Sequence, residues 1–82
     1  MNKAEITKLA KYVKETCERF QVWEEDSTAA EAELKTLHRT IERLERISAK
    51  AKNDADRVMI ARIEQNARNC RDRILERLTN DY

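Results

Sequence analysis

Two cysteines and one histidine are the residues whose types could bind a metal ion or form a covalent cross-link: Cys17, His38 and Cys70. A structural zinc site normally takes four such ligands, and pairs of them are usually close in sequence, as in C-x-x-C. Here three candidates lie far apart. We therefore expect two thiols that fill small spaces in a core, a surface histidine, and no metal or other cofactor. A disulfide between the two cysteines remains an alternative.

Patterns typical of enzymes are missing from the sequence. It contains no glycine, so no Gly-rich loop can hold a phosphate group, and no Ser-His-acid arrangement stands out. The carboxylates have basic residues at helical spacing, such as Glu64 with Arg68, which is the favourable order for an ion pair on a helix surface. We predict no enzymatic activity and no catalytic residues.

The composition predicts helices as the elements that carry these residues. The 82 residues include no glycine and no proline, the two residues that mark most turns. Charged residues make up 40% of the chain, mostly Glu, Lys and Arg, which are good helix formers. With 17 basic and 16 acidic residues, the charge is balanced, which is typical of exposed helix faces rather than of disorder. We expect a single all-α domain over residues 1–82.

Apolar residues recur at the helical spacing in three segments. The first stripe contains Ile6, Leu9, Val13, Cys17 and Phe20. The second contains Ala30, Leu34, Leu37, Ile41, Leu44, Ser48 and Ala51. The third contains Met59, Ile60, Ile63, Ala67, Cys70, Ile74 and Leu78. We predict helices over approximately residues 3–24, 28–51 and 54–79, arranged as an up-down-up three-helix bundle.

The first predicted turn lies at residues 24–28. Thr28 and Glu31 have the spacing of a capping box, in which each side chain bonds a backbone N–H of the first helical turn. Asp26 or Ser27 could cap the helix instead, because both residue types are favoured at that position. A helix is therefore expected to begin close to residue 28.

The second predicted turn lies at residues 52–54. Asn53 is suited to a left-handed conformation at a helix end, and Asp54 to capping the next helix. Without this turn, one long helix would run from Thr28 to about Thr79. The alternative fold is therefore a helical hairpin with one long helix, which would pair as an antiparallel coiled-coil dimer.

Alternating helix directions bring the three stripes into layers. These layers include Ile6 with Ala51 and Met59, Cys17 with Leu37 and Cys70, and Trp23 with Ala30 and Leu78. No charged residue is forced into a layer, and large residues face small ones in several layers, as close packing requires.

Five residues are candidates for binding a protein partner: Tyr12, Trp23, Arg68, Arg71 and Leu75. Tyr12 and Trp23 are expected to lie half out of the first stripe, and Leu75 lies off the third. Trp, Tyr and Arg are the residue types most frequent at binding hot spots. The competing interpretation of Trp23 is that it closes the open end of the core.

Three other apolar residues also lie off the stripes. Val22 is near the same end of the bundle as Leu75. Ile47 and Val58 are near the other end, where we expect them to pack around the second turn.

The last predicted helix is rich in arginine, which binds phosphate well. Over residues 54–82, however, six basic residues are balanced by six acidic ones, whereas a nucleic-acid-binding domain usually has a strongly basic face. Arginines beside an apolar stripe are also typical of helix–helix packing, where their stems cover the edge of the core. Binding of nucleic acid through this helix is therefore the alternative and not the favoured function.

The sequence predicts a small non-enzymatic protein-interaction module, such as an adaptor, inhibitor or assembly subunit, that binds a protein partner through a helix face. It would act alone or as a homo-oligomer. Two cysteines are too few for a disulfide scaffold, and we expect a cytoplasmic protein. No apolar run approaches the ~18–20 residues needed to cross a bilayer, so a membrane is not a predicted partner.

Overall fold

The protein folds as an all-α bundle. The computed structural model describes residues 3–80, with all their side chains except those of residues 20–22 and 80. Within that range the helices are α1 (Lys3–Glu18), α2 (Phe20–Glu25), α3 (Ser27–Lys50) and α4 (Asp54–Asn80). The predicted helical-bundle fold is confirmed. None of the described helices combines the length and the apolar character that a membrane span requires.

Ion pairs between helices show the direction in which each one runs. Arg43 on α3 donates a hydrogen bond to Glu5 near the start of α1, and the pKa of the Glu5 carboxyl is lowered as a result. Arg19, just after α1, is 2.8 Å from Glu33 of α3. Residue numbers therefore rise along α1 as they fall along α3, so the two helices are antiparallel. The helix α4 packs most extensively against α3 and also contacts α1.

The first predicted helix, over residues 3–24, is broken at Arg19 into α1 and α2. The Arg19 backbone N–H is shared between the carbonyl oxygens of Glu15 at 3.0 Å and Thr16 at 3.1 Å. The Thr16 hydroxyl donates to the Tyr12 carbonyl oxygen at 2.9 Å and accepts from the Arg19 guanidinium at 3.1 Å. Threonine bonding back to the preceding turn often bends helices, but the same bond at Thr36 and Thr40 leaves α3 unbroken. This position differs in that the Arg19 guanidinium bonds both Thr16 and Glu33 of α3.

The predicted capping box at the start of α3 is wrong, because the helix begins one residue before Thr28. Asp26 is the N-cap, with extended backbone angles, and its side chain accepts hydrogen bonds from the backbone N–H groups of Thr28 at 2.9 Å and Ala29 at 3.2 Å. With Asp26 as the N-cap, Thr28 lies within the first turn of the helix and donates its own backbone N–H to the cap. The alternative cap considered from the sequence is the one that forms.

The second turn forms as predicted, but Asn53 takes the capping role that was expected of Asp54. α3 ends at Lys50, and Ala51 has extended backbone angles, so the long-helix alternative is wrong. Asn53, not Asp54, caps α4: its side-chain oxygen accepts from the Asp56 N–H at 2.8 Å, and its amide donates to the Asp56 carboxylate at 2.8 Å. No described residue has a positive φ, so Asn53 does not adopt the expected left-handed conformation.

The core follows the three predicted stripes closely. Its buried apolar residues are Ile6, Val13, Trp23, Ala30, Leu37, Ile41, Leu44, Ala51, Ile60, Ile63, Ala67, Cys70 and Ile74. The expected layer contact of Met59 is wrong: Ile60 is fully buried, whereas Met59 is 40% exposed. Adjacent residues differ by about 100° around a helix, so only one of this pair can face the core. Phe20 and Val22 have side chains outside the described residues.

Candidate interaction groove

Trp23 is buried. The expectation from the sequence that it lies half out of the core is wrong. Only 3% of its surface is exposed, and the Arg73 guanidinium of α4 lies 6.0 Å from the centre of its ring, within the range of a cation–π contact. At the same end of the bundle, Arg77 connects α4 to α2, because its Nε donates a hydrogen bond to the Glu24 carbonyl oxygen at 2.6 Å. This burial supports the interpretation that Trp23 closes the end of the core.

Tyr12 is half-buried on α1, as expected. Its hydroxyl oxygen is shielded from solvent and lies close to the hydroxyls of Thr16 and Thr36. Burial raises the pKa of the Tyr12 phenol above its ordinary value. The hydroxyl therefore faces the protein, and the side chain packs partly against the core.

The two arginines predicted to bind a partner are engaged in ion pairs on the bundle surface. Arg68 lies 3.1 Å from Glu45 of α3 and 3.7 Å from Glu64 of its own helix. Arg71 lies 3.2 Å from Asp72. Exposed pairs of this kind contribute little stability, so a ligand with a stronger charge could displace them. In the structure, the pair with Glu45 connects α4 to α3, and the other two pairs lie within α4.

Leu75 is exposed to 40% on α4, near the end of the bundle that Trp23 closes. It is one of three large apolar side chains that the described part of the chain exposes, the others being Val58 and Met59. Leu75 lies far along α4 from those two, so the candidate residues predicted from the sequence do not form one patch with them.

The two cysteines are free thiols in adjacent positions on α1 and α4. Cys70 is buried, Cys17 is half-buried, and their side chains contact each other. Burial, and then the neighbouring Cys17, raise the pKa of the Cys70 thiol to about 12. His38 is exposed on α3. Among the described residues, no group of three or more Cys, His, Asp or Glu side chains could hold a metal ion.

A groove lies between α1 and α4 on the described surface. We call it the α1–α4 groove and define it by its apolar residues: Ile6 and Ala10 of α1 with Val58, Met59 and Ile63 of α4. Its volume is about 920 Å³. Ile6 and Ile63 are buried at its base, while Val58 and Met59 are 52% and 40% exposed. Large apolar side chains beside a concave apolar surface are typical of a site that binds another molecule.

The groove also has short side chains in its lining. Thr7 and Ala10 of α1 and Ala55 of α4 are among its lining residues. A smaller hollow of about 330 Å³ shares Ala10 and Ile63 with the groove. The concave surface therefore continues along the line where α1 meets α4.

Charged residues of both signs border the groove. Asp54 and Asp56 lie at the start of α4, Arg62 lies about two turns further along, and Lys3 lies on α1. Arg62 and Lys3 have no ion-pair partner within the part of the chain that the structure describes. Asp54 is 3.7 Å from Arg57, and its side chain is 96% exposed. Such a border suits a partner with apolar residues at its centre and charges at its edges.

The sequence contained part of the signal for this groove. Val58 lies off the core stripe, as the sequence predicts, and about half of its surface is exposed. Its packing around the second turn stays a prediction. Ile47 does pack against the core. None of the five predicted partner-binding residues lines the groove.

Comparison of this chain with family models, with curated protein sequences and with solved structures found no match.

Proposed function

We propose that this chain is a small non-enzymatic protein-interaction module of the cytoplasm, an adaptor, inhibitor or assembly subunit, that binds a helix of its partner in the α1–α4 groove. The observation that carries the proposal is the exposure of Val58 and Met59 beside an apolar groove of about 920 Å³. The charge border and the absence of catalytic patterns in the sequence support it further.

A helix fits the dimensions of this surface. The groove and the hollow that continues it involve α1 from Lys3 to Glu18, a length of about 22 Å at 1.5 Å per residue. An amphipathic helix commonly lays its apolar face into such a groove, with anchors at positions i, i+3 or i+4, and i+7. We expect the partner to supply up to about four turns of helix.

Binding of nucleic acid remains the alternative, but the arrangement of the arginines favours a protein partner. Arg57 donates to the Ala51 carbonyl oxygen at 3.0 Å, Arg68 and Arg71 form ion pairs, and Arg73 covers Trp23. These side chains are directed to different neighbours around the bundle. Recognition of a phosphate backbone uses basic groups clustered on one face, and the described arginines of α4 do not form such a cluster.

The test is capture of a partner by matched variants. Val58→Lys with Met59→Lys places two charges in the groove, whereas Leu75→Lys places one at the third exposed apolar position. All of these positions are exposed, so each variant should keep the helical content of the wild type, which circular dichroism checks. Each immobilised variant is then exposed to extract of the native host, and bound proteins are quantified by mass spectrometry.

We expect at least one protein to be retained by the wild type and by Leu75→Lys, and to fall about tenfold or more with the groove variant. A bound protein that is lost with Leu75→Lys and kept by the groove variant would show that the binding site is the surface around Leu75 predicted from the sequence, and not the groove. Identical sets of bound proteins on all three would contradict the proposal.

A further inference from the structure

The face of α4 that borders the groove has a regular arrangement of charge and apolar side chains. Asp54, Val58 and Arg62 follow one another at intervals of four residues, so they lie along one side of the helix. Val58 is at the centre, the acidic residue is one turn before it, and the basic residue is one turn after it. Met59 lies beside Val58 and is also exposed.

This order is self-complementary. Two such helices packed antiparallel across a two-fold axis at Val58 place each Arg62 opposite Asp54 of the other copy, because both residues lie about 6 Å along the helix from the axis. A two-fold interface uses the same patch on both subunits, so the patch must carry the complement of its own charges. Asp54, Val58 and Arg62 meet that condition.

We propose that the occupant of the α1–α4 groove is a second copy of this chain, with the two α4 helices antiparallel and Val58 on the two-fold axis. This inference rests on the proposed function and names its partner. Val58 of each copy packs against Val58 of the other on the axis, and Met59 of each copy reaches the edge of the other's groove. Arg62 gains the acidic neighbour that it lacks among the described residues of one chain.

The overall charge and size of the chain agree with such a dimer. The net charge of one copy is +1, so two copies repel each other little. Eleven of the described residues line the groove, about half of the 20–30 residues per side in a stable interface. The dimer should therefore be reversible, with dissociation that is visible on dilution.

The test measures self-association of the full chain by sedimentation velocity from about 1 µM to about 1 mM. We expect the wild type to change from monomer to dimer within this range. Arg62→Asp and Asp54→Arg should each weaken the dimer by about tenfold or more, because each places like charges opposite each other. The double variant Arg62→Asp with Asp54→Arg restores opposite charges and should recover the wild-type affinity.

A matched control is Arg39→Asp, which makes the same charge change at an exposed position of α3 and should leave dimerisation unchanged. A chain that stays monomeric throughout the range would overturn the inference. So would a double variant that dimerises no better than the single variants. In either case, loss of a captured host protein with the groove variant would still support the proposed function. Failure of the dimer inference can therefore be distinguished from failure of the proposed function.

Discussion

The buried thiol of Cys70 illustrates how packing alone changes the chemistry of a residue. Charged groups are costly in an apolar interior, so burial favours the neutral thiol. Burial and then the neighbouring Cys17 raise the pKa of Cys70 to about 12. Cys70 is a core residue, as the sequence predicts for a small side chain on an apolar stripe, whereas Cys17 is only half-buried. Since the thiolate is the reactive form of cysteine, we expect Cys70 to react slowly.

This shift predicts a specific dependence of stability on pH. The Cys70 thiol has an ordinary pKa near 9.0, so the unfolded chain loses its proton while the folded chain still holds it. The free energy of unfolding should therefore be unaffected by Cys70 below about pH 9 and should fall as the pH rises from about 9 towards about 12. Urea denaturation at several pH values, with a reductant present, measures this fall.

The matched comparison is between Cys70→Ala and Cys17→Ala. Cys70→Ala is less stable overall because it leaves a small cavity, but its free energy of unfolding should decline less steeply with alkaline pH than that of the wild type. Cys17→Ala should retain most of the steep decline, because burial is the main cause of the shift. Equal slopes for the wild type and Cys70→Ala would contradict the prediction.

Individual positions also show why some residue-level predictions were wrong. Trp23 was expected to lie half out because the first helix was taken to continue straight to residue 24. The break at Arg19 redirects α2, so Trp23 packs into the end of the core instead. The break coincides with hydrogen bonds of Arg19 to Thr16 and to Glu33. The bond to Glu33 reaches a different helix, so it leaves no local pattern in the sequence.

At the scale of the helices, periodicity predicted most of the fold correctly. Three apolar stripes at helical spacing located the long helices, and the polar segments between them located both turns. The details of capping were less predictable, because Asp26, Thr28, Asn53 and Asp54 are all residue types that favour helix ends. Which of them caps depends on the exact position of the first helical residue, and neighbouring turns and tertiary packing determine that position.

The cap of α3 gives a prediction that separates the observed geometry from the capping box. Asp26→Ala removes the acceptor of two backbone N–H groups and should lower the free energy of unfolding by about 1 kcal/mol. Thr28→Ala should change it by less than about 0.5 kcal/mol, as is usual for a surface substitution. Chemical denaturation of both variants at neutral pH provides the measurement. A larger loss for Thr28→Ala than for Asp26→Ala would show that the capping box is used after all.

At the scale of the whole molecule, the bundle is elongated. Its extents are 44 × 19 × 15 Å, and its radius of gyration is 13.5 Å, compared with about 12 Å for a compact domain of this length. A long, thin bundle has little interior and much lateral surface, so apolar side chains outside the three stripes are left exposed. The groove follows from this geometry. The sequence could not locate it, because its volume depends on how far apart α1 and α4 lie.

The distribution of charge over the whole surface leads to a last prediction, which concerns nucleic acid. Phosphate contacts dominate such binding, and they require basic groups that are free to release counterions. Here the net charge is +1, and Arg68 and Arg71 already pair with carboxylates. We expect the protein to pass unretained through immobilised DNA and RNA at about 50 mM salt, a concentration at which phosphate contacts are strong. Retention that falls steeply with added salt, and that is weakened in Arg68→Ala or Arg71→Ala but not in Arg39→Ala, would instead favour the arginine-rich helix as a nucleic-acid site.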